Sequence, residues 1–183
     1  AGLKMRTYQT IDAQLAADIW LDNVSASCIT EKGGAILSQT AAAGALCLSA
    51  EAVGLMDVMK DATIEYVKTR KQFGRSIGSF QVIQHRLVDL LMEIEQTRSA
   101  TMLAAAHLFS PPDIRDKHIS AAKNLAGRTG KLVAEETIQL HGGIAMTWEY
   151  NGAHYAKRLV MINHQLGDDD FHLEAYATLL QAS

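Results

Sequence analysis

The chain has 183 residues, 48% of them hydrophobic and 20% charged, with a net charge of −3. That is an ordinary globular balance, long enough for one core-bearing domain and part of a second, and it advertises no basic face for nucleic acid. No apolar run reaches membrane-spanning length and no signal peptide opens the sequence, while Cys28 and Cys47 lack metal-ligand spacing and read as reduced thiols of a cytoplasmic protein.

The sequence starts at Ala1 among strand-like residues, so a fragment or a processed piece is expected. Tyr8, Thr10 and Ile11, then Ile19, Trp20, Leu21 and Val24, predict one or two short strands, too few to stand as a sheet alone. Residues 25–38 read as a connection, which divides the chain into a β remnant with its linker, 1–38, and a helical unit, 39–183. The first helix is expected over 39–71, with Leu46, Val53, Met56 and Met59 on its apolar stripe. "FGRSIGS" interrupts it as a loop, with Ser79 as the N-cap of a second helix that carries Ile83, Leu87, Leu90, Leu91 and Ile94 and ends before Pro111-Pro112. A third helix, about 113–141, is rich in small residues and ends at Gly142-Gly143. Such a helix should be central and should also form an interface with other copies. A fourth helix covers about 151–165, Gly167 breaks it, and a fifth begins at Asp168. Long helices with short connections predict an all-α, antiparallel up-down bundle with a short N-terminal β remnant.

Three stretches carry candidate chemistry. In "RKQFGRSIGSFQVIQH" the cations Arg70, Lys71 and Arg75 gather where one helix ends, with Gln72, Gln81, Gln84 and His85 nearby. This is either a phosphate site built on the arginine fork or a solvated basic turn. In "QLHGGIAMTWEY" the glycines allow close backbone approach, to a ligand or to another helix. In "HQLGDDDFH" three carboxylates stand between two histidines, but Gly167 interrupts any ligand face and only Asp169-x-x-His172 has di-iron spacing. Acids just after a glycine suit a first helical turn, so the stretch reads as a helix start and not a metal site.

Together, "YVKTRKQFGRSIGSFQVIQHRLVDL" and "AEETIQLHGGIAMTWEY" resemble the C-terminal helical domain of the acyl-CoA dehydrogenase family, and "LAADIWLDNV" resembles the last strand of that family's middle β domain. The resemblance covers nearly the whole chain, with spacing kept from Gly54 through Arg70, Phe73, Gln81 and Gln139 to Gly167. It implies FAD bound between subunits of a tetramer. Arg70 would meet the FAD diphosphate, Phe73 and Gln81 would flank the cofactor, and Gln139, Gly142 and Gly143 would approach the ADP part of a neighbouring subunit's FAD. The implied reaction is α,β-dehydrogenation of an acyl-CoA thioester, with electron-transfer flavoprotein as acceptor. The sequence looks like a bacterial branch, some members of which pair two unlike chains and often handle sterol side chains or other bulky acyl groups.

The family's base is missing from both of its usual places. The position before the glycine that ends the fourth helix holds Leu166, and the alternative position on the first helix holds Gly44. Two carboxylates are candidates to replace it. Glu51 lies two turns beyond Gly44 on the same face, inside the apolar run "LCLSAEAVGLM", where burial would raise its pKa. Asp168 follows Gly167 directly. The chain is therefore expected to be part of a homo- or hetero-oligomeric acyl-CoA dehydrogenase, or else a subunit that completes a partner's FAD site without supplying a base.

Overall fold

The computed structural model describes residues 2–181, so Ala1 lies outside it. Strands β1 (Leu3–Gln9) and β2 (Leu15–Leu21) form one antiparallel hairpin with Leu3 opposite Leu21 and Gln9 opposite Leu15. The turn between them takes in Thr10 and Ile11, with Ala13 left-handed at φ 63°, and Val24 lies beyond β2. Helix α1 (Gly33–Thr69) starts six residues ahead of the expected Gln39, absorbing the Gly-Gly segment read as linker. Then follow α2 (Gln81–Ala106), α3 (Pro112–His141), α4 (Asn151–His164) and α5 (Asp169–Gln181).

The interruption between α1 and α2 is more ordered than a loop. β3 (Lys71–Gln72) and β4 (Arg75–Ser76) pair across Phe73 and Gly74, both at positive φ, 54° and 78°. Two left-handed central residues make a type I′ turn, the form whose twist suits a two-residue hairpin. Ser79 does not cap α2, because its hydroxyl donates to the Ser76 carbonyl at 2.7 Å and the N-cap position falls to Phe80.

Helix α3 is the axis of the bundle and packs against α1, α2, α4 and α5. Its buried positions Ile119, Ala122, Lys123, Ala126, Gly127, Gly130, Val133, Ala134 and Thr137 keep helical spacing on more than one side, as a central helix requires. The expectation that its small residues face other copies is corrected. A Cβ on Gly127 would lie 2.0 Å from Asn163 Oδ1 and one on Gly130 would lie 3.4 Å from Leu159, so the small residues admit this chain's own α4. The apolar side chains left exposed lie elsewhere, on α2 among others, where Val88, Leu91, Met92, Met102 and Leu103 face outward. Leu91 thus leaves the expected core stripe of α2, which Leu90, Ile94, Thr97 and Thr101 form instead.

The core has two clusters. One joins Val53, Met56 and Met59 of α1 with Leu90 and Ile94 of α2, Val133 of α3, and Leu159 and Ile162 of α4. The other joins Ala42 and Ala45 with Ala104, Ile119 and Ala122. Buried threonines bridge the helices, Thr63 to Thr137 at 3.3 Å and Thr97 to Thr129 at 3.0 Å. α4 and α5 do not form a further up-down pair. Leu159 and Asn163 lie by Gly130 and Gly127, and Asp169 and His172 bond to Asn124 and Ser120, so both helices run the same way along α3. At 1.5 Å per residue α3 is about 45 Å long, and the two shorter helices placed in tandem match it.

The expectation that no apolar run reaches membrane-spanning length is corrected. An 18-residue window of α1 reaches a mean hydropathy of 1.5, enough by length and composition to cross a membrane. The helix packs against α2, α3 and α4 and carries Glu51, Asp57 and Lys60 in ion pairs.

Their surroundings set two glycines apart. Gly127→Ala should destabilise by about 1–3 kcal/mol, since the new methyl collides with Asn163. Gly54, also helical but with nothing within 4 Å of an added Cβ, should be neutral or gain about 0.5–1 kcal/mol as alanine. Urea unfolding of the two variants checks the contrast, and equal effects would refute the close approach of α4.

Candidate functional site

Six of the residues named from the sequence meet at one end of the bundle. Arg70 closes α1, its amide donating to the Tyr66 carbonyl at 2.8 Å and its carbonyl accepting from Ile77 at 2.9 Å. The Tyr66 hydroxyl donates to the His141 carbonyl at 3.1 Å, and the two rings stack at 4.4 Å. His141 is buried, donates from Nδ1 to the Thr137 carbonyl at 2.9 Å, and accepts from the Tyr150 hydroxyl at 2.9 Å through Nε2. Burial pushes its pKa down against that backbone bond, so a neutral ring anchors the turn into Gly142 and Gly143. Gly142 takes φ 69° to end α3, and neither glycine has an atom within 4 Å of where a Cβ would stand.

Around this anchor the polar groups point outward. The Arg70, Gln81 and Gln139 side chains are exposed and have no partner among the described residues. Phe73 is 91% exposed in its left-handed turn position, a conformation that a residue with a Cβ seldom adopts. Arg75 lies over the Phe80 ring at 4.0 Å, and Phe80 meets Phe73 edge-on at 6.2 Å. An unpaired guanidinium, two free amides, an open glycine pair and an aromatic held in solvent suit a large planar anion, and FAD fits these residues.

The other candidates meet between α1 and the α4–α5 turn. Gly44, Cys47, Leu48, Glu51, Gln165 and Leu166 line a cleft of about 540 Å³. The structure thus brings both usual base positions together, and a Cβ on Gly44 would lie 2.6 Å from Leu166 Cδ1. Glu51 opens onto the same cleft, but its expected burial is corrected: the side chain is 43% exposed and pairs with Arg158 of α4. The pairing is bidentate, at 2.6 Å from Nε and 2.7 Å from Nη2. Nη1 of the same arginine donates to Asp12 at 2.9 Å and Gln165 at 3.2 Å. The fork binds the hairpin turn, α1 and the α4–α5 turn together. Burial pushes the Asp12 carboxyl up, yet the Thr10 hydroxyl and Arg158 outweigh it and hold it below the usual carboxylate value. Asp168 caps α5, accepting the Phe171 amide at 2.9 Å, and the stretch is the helix start its sequence indicated.

The turn that carries Leu166 rests on Lys123. This side chain is fully buried, and its ammonium donates to the carbonyls of Gly167 at 2.7 Å and Asn163 at 3.1 Å. His172, also buried, donates to the Leu166 carbonyl at 2.9 Å. Leu166 itself is left-handed at φ 56°, as is Gly167 at φ 96°. Asn163 and Asp169 close the turn with reciprocal bonds of 2.9 and 3.1 Å.

The two sets of candidates do not share one pocket. Gly44 and Arg70 are 26 residues apart along α1, which separates them by about 39 Å. A larger groove of about 630 Å³, between α3 and α4 beside Trp148 and Met146, takes in Ile11 and Asp169 but none of the candidate cofactor or base residues. Three residues that position the sites went unnamed: Lys123, His141 and Arg158. Lys123 had a signal, a lone cation in the Ala-rich stripe "SAAKNLAG" where a solvated lysine is out of place. His141 stood beside the glycine pair without a period of its own, and Arg158 gains meaning only from Glu51, more than a hundred residues away.

Burial pushes the Lys123 ammonium down from 10.5 to about 8, against the pull of Asp168 and Asp169. Between these values the unfolded chain holds a proton that the folded chain has released, so stability should rise with pH across that window. Relative to Lys123→Met, the protein should gain roughly 3 kcal/mol between about pH 7.5 and 10.5. Urea unfolding at several pH values measures the difference, and a flat difference would mean that the lysine titrates alike in both states.

Comparison with known proteins identifies the family of this fold. The family model "Acyl-CoA dehydrogenase, C-terminal domain" matches residues 31–178. Acyl-CoA dehydrogenase IpdE2 of Mycobacterium tuberculosis is 41% identical over 114 residues, 62% of this chain and 34% of that protein. Acyl-CoA dehydrogenase FadE34 of the same organism is 34% identical over 142 residues, 75% of this chain and 20% of that protein. The structure of a Tcur3481–Tcur3483 steroid ACAD variant superposes with a TM-score of 0.90 at 29% identity, covering 99% of this chain and 49% of that one. The FAD complex of PigA follows with a TM-score of 0.87 at 25% identity, covering 98% and 49%. This chain spans about a third or less of these curated relatives and about half of the solved chains. The chain belongs to the acyl-CoA dehydrogenase family, of which it carries the C-terminal helical domain.

Proposed function

We propose that the chain is part of an FAD-dependent acyl-CoA dehydrogenase that performs α,β-dehydrogenation of an acyl-CoA thioester, and that it supplies FAD contacts to a neighbouring subunit. One observation carries this reading: Arg70, Gln81 and Gln139 are exposed and without partners among the described residues, beside the open Gly142-Gly143 turn and about 39 Å along α1 from the cleft at Gly44. Groups so far from the chain's own cleft suit a cofactor seated in another subunit. FAD, when bound, would supply the hydride acceptor, with electrons passing on to an electron-transfer flavoprotein. The Arg70 guanidinium would neutralise the diphosphate, Gln139 and the glycine backbone would approach the ADP part, and Phe73 and Gln81 would flank it. The exposed apolar face of α2 supplies a surface for assembly. The similar Tcur3481–Tcur3483 protein and the fold-level neighbour named as a ChsE4–ChsE5 complex support pairing with an unlike chain.

A second reading follows from the cleft. Leu166 packs on Gly44 where a base would stand, Glu51 is engaged by Arg158, and Asp168 is engaged as a cap. These commitments favour a subunit that completes a partner's FAD site while another chain supplies the base.

Both readings are tested on the purified assembly. Arg70→Ala should lose flavin on gel filtration, and unchanged flavin content would overturn the role of that end of the bundle. Glu51→Gln keeps shape and removes basicity. If Glu51 is the base, turnover should fall on the order of a hundredfold or more with flavin retained. Full activity in that variant makes Glu51 structural, and full activity in Asp168→Asn as well assigns the base to another chain.

A further inference from the structure

Leu166 is held in an unfavourable conformation by groups that cannot follow it into solvent. Its φ of 56° belongs to the left-handed region that side chains with a Cβ avoid. The buried His172 ring fixes its carbonyl, and the buried Lys123 ammonium fixes the carbonyl of the next residue. Between these two anchors the Leu166 side chain is directed over α1, half exposed to the cleft, and it sits where any side chain at Gly44 would be. A strained residue that two buried polar groups over-determine is the kind of feature that clusters at ligand sites. The cleft wall beside it is mainly apolar, formed by Leu48, Cys47 and Gly44, with Glu51 and Gln165 at its polar side.

We propose that Leu166 is a specificity-determining wedge, seated on Gly44, and that this pair sets the width of the acyl group the cleft admits. The proposal rests on the reading that an acyl-CoA enters this cleft. Removing the wedge widens the cleft. Adding a methyl at Gly44 displaces the terminal carbons of Leu166 outward and narrows it. The second effect requires the leucine, so the two substitutions must be coupled.

The cleft carries its own reporter. Cys47 is exposed on its wall, and Cys28, exposed in the segment before α1, is an internal reference. The assembly with its flavin is alkylated with iodoacetamide in the presence of butyryl-CoA or phenylpropionyl-CoA, and protection of Cys47 relative to Cys28 is titrated. In Leu166→Ala the ratio of half-protecting concentrations should move about tenfold in favour of the ring-bearing thioester. In Gly44→Ala it should move the opposite way, and in the Leu166→Ala background the Gly44 change should have less than about a twofold effect. Alanine is a better helix former than glycine, so Gly44→Ala keeps the test open if Leu166→Ala folds poorly. An unchanged ratio in the variants, with both thioesters still protecting Cys47, overturns the wedge and leaves the acyl reading standing. Failure of either thioester to protect Cys47 in any form removes the acyl reading and the wedge with it.

Discussion

The Lys123 ammonium is the constraint from which the rest of the site follows. It lies in α3 between Ala122 of one core cluster and Ala126 of the other, fully out of water. A buried cation must find acceptors, and the nearest are the carbonyls freed where α4 ends and the chain turns into α5. Bonding them stops α4 partway along α3 and lets α5 continue in the same direction. The break therefore lies inside the bundle and not at its end. That is why Leu166 meets Gly44, and why the two positions that could hold a base face each other across one cleft.

A second consequence is the separation of roles along the molecule. α1 is continuous from Gly33 to Thr69, and its rigidity keeps the Arg70 end about 39 Å from the Gly44 cleft. The exposed groups around Arg70 are anchored by a buried neutral histidine, and the cleft by a buried lysine. Both anchors bond to backbone carbonyls at helix ends, where α-helices leave acceptors unsatisfied. The anchors are buried in the bundle while the groups they present remain exposed, an arrangement that suits contacts completed by another subunit.

The Arg158 fork adds the N-terminal hairpin to this frame. The Asp12 side chain is 1% exposed and pairs with the same guanidinium that holds Glu51. A pair this buried gains strength from the low local dielectric, and its loss would leave an uncompensated charge. Conformation of the hairpin turn, orientation of Glu51 and placement of Gln165 beside Leu166 are thus linked through one side chain. The hairpin itself exposes Leu3, Met5, Ile19 and Leu21, apolar side chains that its own two strands leave uncovered.

The helices, their order and the capped start of α5 were legible in the sequence, because apolar spacing, glycine breaks and acidic first turns act over a few residues. The motifs around Arg70 and Gln139 were legible for the same reason, since each is contiguous. Register along the bundle was not. The small residues of α3 read equally well as an internal seam or an outer interface, and only packing against Asn163 and Leu159 decided for the seam. Glu51 sat in an apolar run and read as buried, yet its helical position turned it to the cleft and to Arg158. Local sequence determined which segments are helices and where the Arg70 and Gln139 motifs lie along them. Long-range contacts alone decided what each charge is paired with, because a charge is stabilised by its partner in space and not by its neighbours along the chain.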